Sequence, residues 1–387
     1  MLELSDRPVV DSHCHPFLPE KEEGPFERHL NLAANLIPRE DLVNTFLYRQ
    51  VIRELARVLE CEGRHDEVVE ARQRRYRREP VEYIRSLFED AGIETVLVDT
   101  GYPYREFAGY SITPEEFSEI VPCRVREICR IDNIIHGLIK DQLPFERAVD
   151  RFHELIENAM KKGAVSLKSV VAYSTGLEIR RGAEDDARGA YGELLSEAKS
   201  GRSLREIFYS GSVHAKTVMD HFVFLGVEDS VKLGVPFQLH TGIGNPSLLD
   251  LRKTNPLLLR HLINDESTRA ARIIITHGGY PYIEEAGFLV NAHPNVFIDF
   301  SLITPFVSIG VKEKLLNLFE MAPTTKIMYG SDGHKIPELF WFSAIQAKRA
   351  LSAALNELLE SGEISEEWAF EVAEQILHVN AKRIYRL

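Results

Sequence analysis

Short runs of β-branched and aliphatic residues recur along the chain, spaced widely enough for a helix to lie between them. Eight stand out: RPVVDSH (7–13), ETVLVDT (94–100), CRVREICRI (123–131), AVSLKSVVAY (164–173), VPFQLHT (235–241), RIIITH (272–277), NVFIDFS (295–301) and KIMYGSD (326–332). Several are continuously apolar rather than alternating, the pattern of strands covered on both faces. Helical patterns such as VEYIRSLFEDAG (81–92) and SLLDLRKTNPLLLRHLI (247–263) fill most of the intervals. Eight strands alternating with helices predict an α/β fold of the (β/α)8 TIM-barrel type.

That barrel takes about 250 residues, so a chain of 387 has residues to spare. Two charged, helix-patterned segments absorb them, 16–80 after the first strand and 178–230 after the fourth. Both leave the C-terminal ends of strands, where βα loops build active sites. They are read as helical insertions capping the mouth of a single domain, 1–387. The run ARQRRYRRE in the first insertion is read as a solvated helix face in preference to an anion-binding patch.

Composition adds exclusions rather than a function. A content of 44% hydrophobic and 27% charged residues is that of an ordinary globular protein. A net charge of -13 disfavours nucleic acid and anionic membrane surfaces as partners. The start of the chain lacks the basic and apolar regions of a signal peptide, and no stretch approaches the roughly 18 apolar residues of a membrane span. Cys14, Cys61, Cys123 and Cys129 are too scattered for a disulfide framework or a zinc ribbon. The expectation is a reduced, cytoplasmic protein acting on a small molecule, with a homo-oligomer left open.

Chemistry enters at the strand ends. His13 and His15 close the first run, His240 the fifth, His277 the sixth, and Asp332 the eighth. Period-two alternation puts His13 and His15 on one face with Cys14 opposite. A lone histidine at a strand end is more often a hydrogen-bonded structural residue, and an H-x-H pair alone says little. Four histidines and a carboxylate, each at the C-terminal end of a candidate strand, converge on a metal site. Neutral imidazoles and a carboxylate suit Zn²⁺, and also Mn²⁺ or Fe²⁺. Lys168, inside the buried fourth run, either snorkels or pairs with a carboxylate, or reacts with CO₂ to give a carbamate able to bridge two metals.

Together these residues resemble the amidohydrolase superfamily of TIM-barrel metalloenzymes, in the branch called amidohydrolase family 2. The superfamily's ligand pattern then falls on His13, His15, Lys168, His240, His277 and Asp332. Three longer stretches, LKSVVAYSTGLEI, HTGIGNPSLLDLRKTNPLLL and YGSDGHKIPELFWFSAIQAKRAL, are similar to the amidohydrolase-like domain of FluG and nodulin-type proteins. In those proteins a glutamine-synthetase-like domain follows, and no such stretch follows within this sequence.

The resemblance implies two metals, one held by His13, His15 and Asp332, the other by His240 and His277, with carboxylated Lys168 and a hydroxide bridging them. Asp332 would be the catalytic base and acid, and His334 and Tyr173 candidate substrate contacts. Arg180 and Arg181 are as readily solvated as substrate-binding, and Gly278, Gly279 and Tyr280 are expected to form the turn after strand six. The implied activity is hydrolysis of a C–N bond (EC 3.5 type), with γ-glutamyl amides as candidates. The alternative is a single-metal, non-oxidative decarboxylase of a small carboxylic acid (EC 4.1.1 type). A non-catalytic barrel kept as a binding module would have lost a ligand, and none of the six positions is lost.

Overall fold

The computed structural model of the protein describes residues 2–33 and 36–387. Eight parallel strands form one sheet in sequential order: β1 (Val9–Cys14), β2 (Ile93–Asp99), β3 (Arg124–Arg130), β4 (Ser166–Ser169), β5 (Phe237–His240), β6 (Ile273–Thr276), β7 (Val296–Asp299) and β8 (Ile327–Met328). Backbone hydrogen bonds from Ser12 N–H to the Tyr329 carbonyl (3.1 Å) and from His15 N–H to the Gly333 carbonyl (2.8 Å) join the last strand region to the first. The result is the (β/α)8 barrel that the hydrophobic runs predict, its strands largely buried by helices outside and side chains within, β3 only in part.

The floor of the barrel is apolar. Val10, Leu97, Ile128, Ile274, Phe297 and Met328 point inward and pack on Ala381, Ile384 and Tyr385 of the C-terminal helix Asn380–Tyr385. Each such side chain contributes about 1.5–3 kcal/mol by leaving water. Gln238 Nε2 donates to the Tyr385 hydroxyl (2.7 Å), so the one polar pair on the floor is satisfied on that side.

In β1 the alternation is broken. Val10 belongs to the inner cluster, whereas Cys14, of the same parity, packs in the outer one. The register shifts between Asp11 and Cys14, the mark of a β-bulge. A strictly alternating strand would have carried Ser12 inward; the extra residue turns His13 inward instead.

The first insertion carries the helices Phe46–Val58 and His65–Arg78, after which Pro80–Asp90 packs beside the barrel. Residues 34 and 35 of the 16–80 segment lie outside the described residues. The second contains the helices Glu184–Lys199 and Leu204–Phe208, and the following helix Val213–Leu233 returns the chain to β5.

The arginine-rich run is not wholly solvated. Arg72 is fully buried between the rings of Phe26 and Tyr76 and binds two carboxylates, Glu22 and Glu338. It turns inward because the helix His65–Arg78 buries the stripe Val68, Arg72, Tyr76, spaced four residues apart. All four cysteines are free. Among the described residues no helix is long and apolar enough to cross a membrane.

Candidate metal centre

The polar residues gather at the end of the barrel opposite the floor. His13 comes from the bulge of β1, His15 from just beyond it, Lys168 from within β4, and His240 is the last residue of β5. His277 follows β6 directly, in a left-handed conformation (φ 65°) that Gly278 and Gly279 continue (φ 59° and 64°). Those glycines make the turn that the sequence suggested, and there L-residues would be strained.

Asp332 lies farther from its strand than expected. β8 ends at Met328, because the Asp11 carboxylate captures both the backbone N–H and the hydroxyl of Ser331 and draws the chain out of the ladder. Asp332 then takes φ 53° and donates its N–H to the His13 carbonyl (2.8 Å), which aims its carboxylate back over β1.

Two clusters result. In one, Asp332 Oδ1 lies 3.1 Å from His13 Nε2 and 3.3 Å from His15 Nε2. In the other, His277 Nε2 and His240 Nδ1 face each other at 2.9 Å. Lys168 Nζ stands 3.4 Å from His13 Nε2 and donates to Thr276 Oγ1 (3.1 Å). His13, His277 and Asp332 also offer ligand atoms lying within 4.8 Å of one another, which links the clusters.

The outer partners fix the ring tautomers. The Asp99 carbonyl can only accept, so His15 Nδ1 (3.0 Å away) is its donor. In the neutral ring Nε2 is then a lone pair pointed at the carboxylate of Asp332. The Ser301 hydroxyl donates to Asp299 and accepts from His277 Nδ1 (2.8 Å), leaving a lone pair on His277 Nε2 as well. At His15 and Asp332 lone pairs face one another in a buried site, which calls for a cation between them, whereas His240 Nδ1, whose tautomer no outer partner fixes, can itself donate to His277 Nε2. Two donors on one tetrahedral zinc, each bonded at about 2.1 Å, sit about 3.4 Å apart. The separations at Asp332 are close to that, so the residues fit a divalent metal.

Electrostatics agree with neutral imidazoles and an ionised carboxylate. Burial, helped by Lys168, lowers His13 to about 4, and burial takes His240 and His277 well below the usual histidine range. Burial pushes Asp332 up; only protonated His277, His13 and His15 would outweigh it and hold the group well below the carboxylate range, and with the rings neutral that pull falls to a bound cation. Lys168 is lowered to about 8 by burial, against the pull of Asp99, Asp299 and Asp332.

Among the second-tier residues, His334 Nδ1 meets the Asp332 carbonyl (2.8 Å) and its ring lies 6.5 Å from that of His15, at the mouth. The Tyr173 ring tilts against His240 at 4.5 Å, and its hydroxyl accepts from Asn245 N–H (3.1 Å). A side chain at Gly244 would strike that hydroxyl and come within 3.1 Å of His240 Nε2. Arg180 and Arg181 lie apart from this centre, exposed and paired with Glu178 and with Asp265 and Glu228.

Three polar residues missed by the sequence reading also end strands. Asp99, last in β2, forms a group with His13 and His15 within 4.8 Å. Arg130, last in β3, binds the Asp99 carboxylate, and Asp299, last in β7, orients Ser301 and the His277 backbone. The signal that found the histidines, a polar residue closing an apolar strand, was present at Asp99 and Asp299 but not at Arg130, whose strand RVREICR is itself largely charged.

Residues 223–387 match the family profile described as amidohydrolase, of the second amidohydrolase family. Protein fluG of Emericella nidulans is 26% identical over 410 aligned residues, covering 99% of this chain and 46% of fluG. The chain thus spans about half the length of that curated relative. Among solved structures, a protein from Lactobacillus casei assigned as a metal-dependent hydrolase superimposes with a TM-score of 0.83 at 24% identity, covering 100% of this chain and 98% of that one. A uronate isomerase of Thermotoga maritima gives 0.67 at 15% identity, covering 98% of this chain and 95% of that one. At these identities the two structures speak for the fold alone.

Proposed function

We propose that this chain, which belongs to amidohydrolase family 2, is a metal-dependent hydrolase that cleaves a C–N bond, an amide, in a small-molecule substrate. His13, His15 and Asp332 would hold one ion, and His240 and His277 a second. Zinc suits this donor set, as do manganese and iron(II). A divalent ion bound there supplies Lewis acidity, polarising a carbonyl and bringing the pKa of water near neutrality. Lys168, with its pKa lowered to about 8, keeps a share of neutral amine at pH 7. Attack of that amine on CO₂ would form an N–C bond as one C=O π bond opens to C–O⁻, and loss of one N–H proton to water would leave an anionic carbamate.

Asp332 does the proton work. As an ionised carboxylate beside a bound cation, it would take a proton from the attacking water and return it to the departing amine. His334 and Tyr173, at the rim, would contact substrate. The observation that carries this reading is the Asp332 oxygen facing the Nε2 atoms of a paired H-x-H motif, the one on His15 a lone pair, with a second histidine pair beside it. The likeness to FluG-type domains makes γ-glutamyl amides the first compounds to try.

A second reading, a single-metal decarboxylase, is favoured by one contact. Lys168 as a free amine is already satisfied by Thr276 Oγ1, so the site is complete without a carbamate. Metal content decides between them. About two ions per chain in protein prepared with bicarbonate, falling to one or fewer in Lys168→Ala, supports the binuclear hydrolase; ammonia release from amides is then the assay. About one ion in both proteins rejects the binuclear centre, and CO₂ release from small acids becomes the assay.

A further inference from the structure

Arg130 is spent on only one of its two faces. It closes β3 and pairs in register with Lys168 of β4, while Ile128, two residues earlier, lies in the inner cluster. Its side chain therefore points into the barrel, on the same face as Lys168. Asp99 binds it side-on: Nε donates to Oδ1 (3.1 Å) and Oδ2 (3.0 Å), and Nη2 to Oδ2. Nη1 has no hydrogen-bond partner among the described residues, and it is not sealed away, because the side chain keeps 11% of its surface accessible.

The nearby carboxylate of Asp132 does not take up the free edge. Its oxygens accept from Ser169 Oγ (3.3 Å) and Val170 N–H (3.1 Å) instead. Nor is the arginine loose. A Cβ at Gly101 would lie 2.5 Å from Arg130 Cδ, so the absence of a side chain at Gly101 is what lets the arginine lie flat there. Asp99, its anchor, belongs to the ligand-atom group of His13 and His15.

We infer that Arg130 is a substrate-binding residue whose outward guanidinium edge, Nη1 with the second hydrogen of Nη2, receives a carboxylate of the substrate beside the metal centre. A guanidinium carries five N–H donors in a planar fork, and two carboxylates can be seated on adjacent edges at once. Asp99 holds the fork rigid and offsets its charge in the free protein; the end-on edge is then a preorganised two-donor site for a planar anion. The inference rests on the metal-centre reading and narrows its substrate class to carboxylated amides. A substrate would place its scissile group over His13 and Asp332 and its carboxylate on the β3 side.

The test is calorimetric titration of the metal-loaded protein with glutaramate, which carries one amide and one carboxylate, and with glutaramide, which carries two amides. The parent is expected to bind glutaramate at least about tenfold more tightly. Arg130→Met is expected to reduce that preference below about twofold, and Arg130→Lys, which keeps the charge but loses the fork, to an intermediate value. If Arg130→Met fails to fold because Asp99 is stranded, the Arg130→Met, Asp99→Asn pair removes both charges and is titrated in its place.

Absence of a carboxylate preference in the parent overturns the inference. So does a preference kept intact in the methionine variants, since the carboxylate would then sit on the metal or elsewhere. Ammonia release from glutaramate is scored separately. Arg130-dependent binding without turnover would count against the hydrolase and leave the anion contact standing.

Discussion

Arg72 offers the sharpest test of what holds the first insertion to the barrel. Its guanidinium has no exposed surface; it bonds Glu338 through Nε (2.6 Å) and Nη2 (3.1 Å), and Glu22 through Nη1 (2.6 Å) and Nη2 (2.8 Å). Tyr83 Oη also donates to Glu338 (2.8 Å). Arg72→Met keeps much of the volume against Phe26 and Tyr76 but leaves two carboxylates facing each other. Removing one partner of a buried pair costs about 3–5 kcal/mol.

The structure also limits that cost, because a stranded carboxylate can take up a proton. From an ordinary value of 4.5, neutralising one glutamate at pH 7 costs about 3 kcal/mol, and at pH 5 less than about 1. The stranded glutamate has its folded pKa raised, so the variant's deficit is small near pH 4.5 and grows as pH rises. The slope is up to about 1.4 kcal/mol per pH unit. Urea unfolding of parent and variant at pH 5, 6 and 7 measures this. Adding Glu338→Gln is expected to recover at least half of the pH 7 loss. A deficit below about 1 kcal/mol at pH 7, or one that does not change with pH, would refute the reasoning.

Other outcomes follow from the same coordinates. Gly244→Ala should push Tyr173 off His240 at a cost of about 1–3 kcal/mol, lowering the melting temperature together with metal content; unchanged values of both would contradict the packing described. Asp332→Asn should leave a folded protein with clearly less metal than the parent by elemental analysis, since it removes the charge that His13 and His15 share. The metal-stripped protein should lose stability in acid. At pH 5, His13, His29, His136 and His334, with values of about 4, 4, 3 and 4, are protonated only when unfolded, while Asp11 and Asp132, at about 7 and 6, are protonated only when folded. From these six groups the unfolded chain binds about two more protons, so stability falls by about 3 kcal/mol per pH unit on acidification, and His240 and His277, taken well below the histidine range, steepen the fall. Equal melting temperatures at pH 5 and 7 would count against those assignments.

The barrel was legible because most of its strands are buried on both faces and so read as apolar runs; the charged, half-exposed β3 is the exception. The candidate ligands stood out because four histidines and a carboxylate, each closing such a run, are hard to explain one by one as structural residues. Three things were hidden. The bulge that turns His13 inward depends on register with β2, which no local pattern encodes. The run AVSLKSVVAY reads as one long strand, yet only Ser166–Ser169 is extended and Val171–Ser174 turns helical, because the Asp132 carboxylate ties down the Val170 N–H. Arg72 looked like one more solvated charge, since its partners Glu22 and Glu338 are remote in sequence and only tertiary packing brings them together.

The closed floor has a consequence for traffic. With the lower lumen filled by side chains from six strands and capped by Ile384 and Tyr385, the polar centre is the bottom of a blind well. Whatever reaches His13 and Asp332 must come and go by the same door, at the C-terminal ends of the strands. A spent molecule still in the shaft therefore bars the next one from entering. The product that leaves last should accordingly inhibit competitively against substrate.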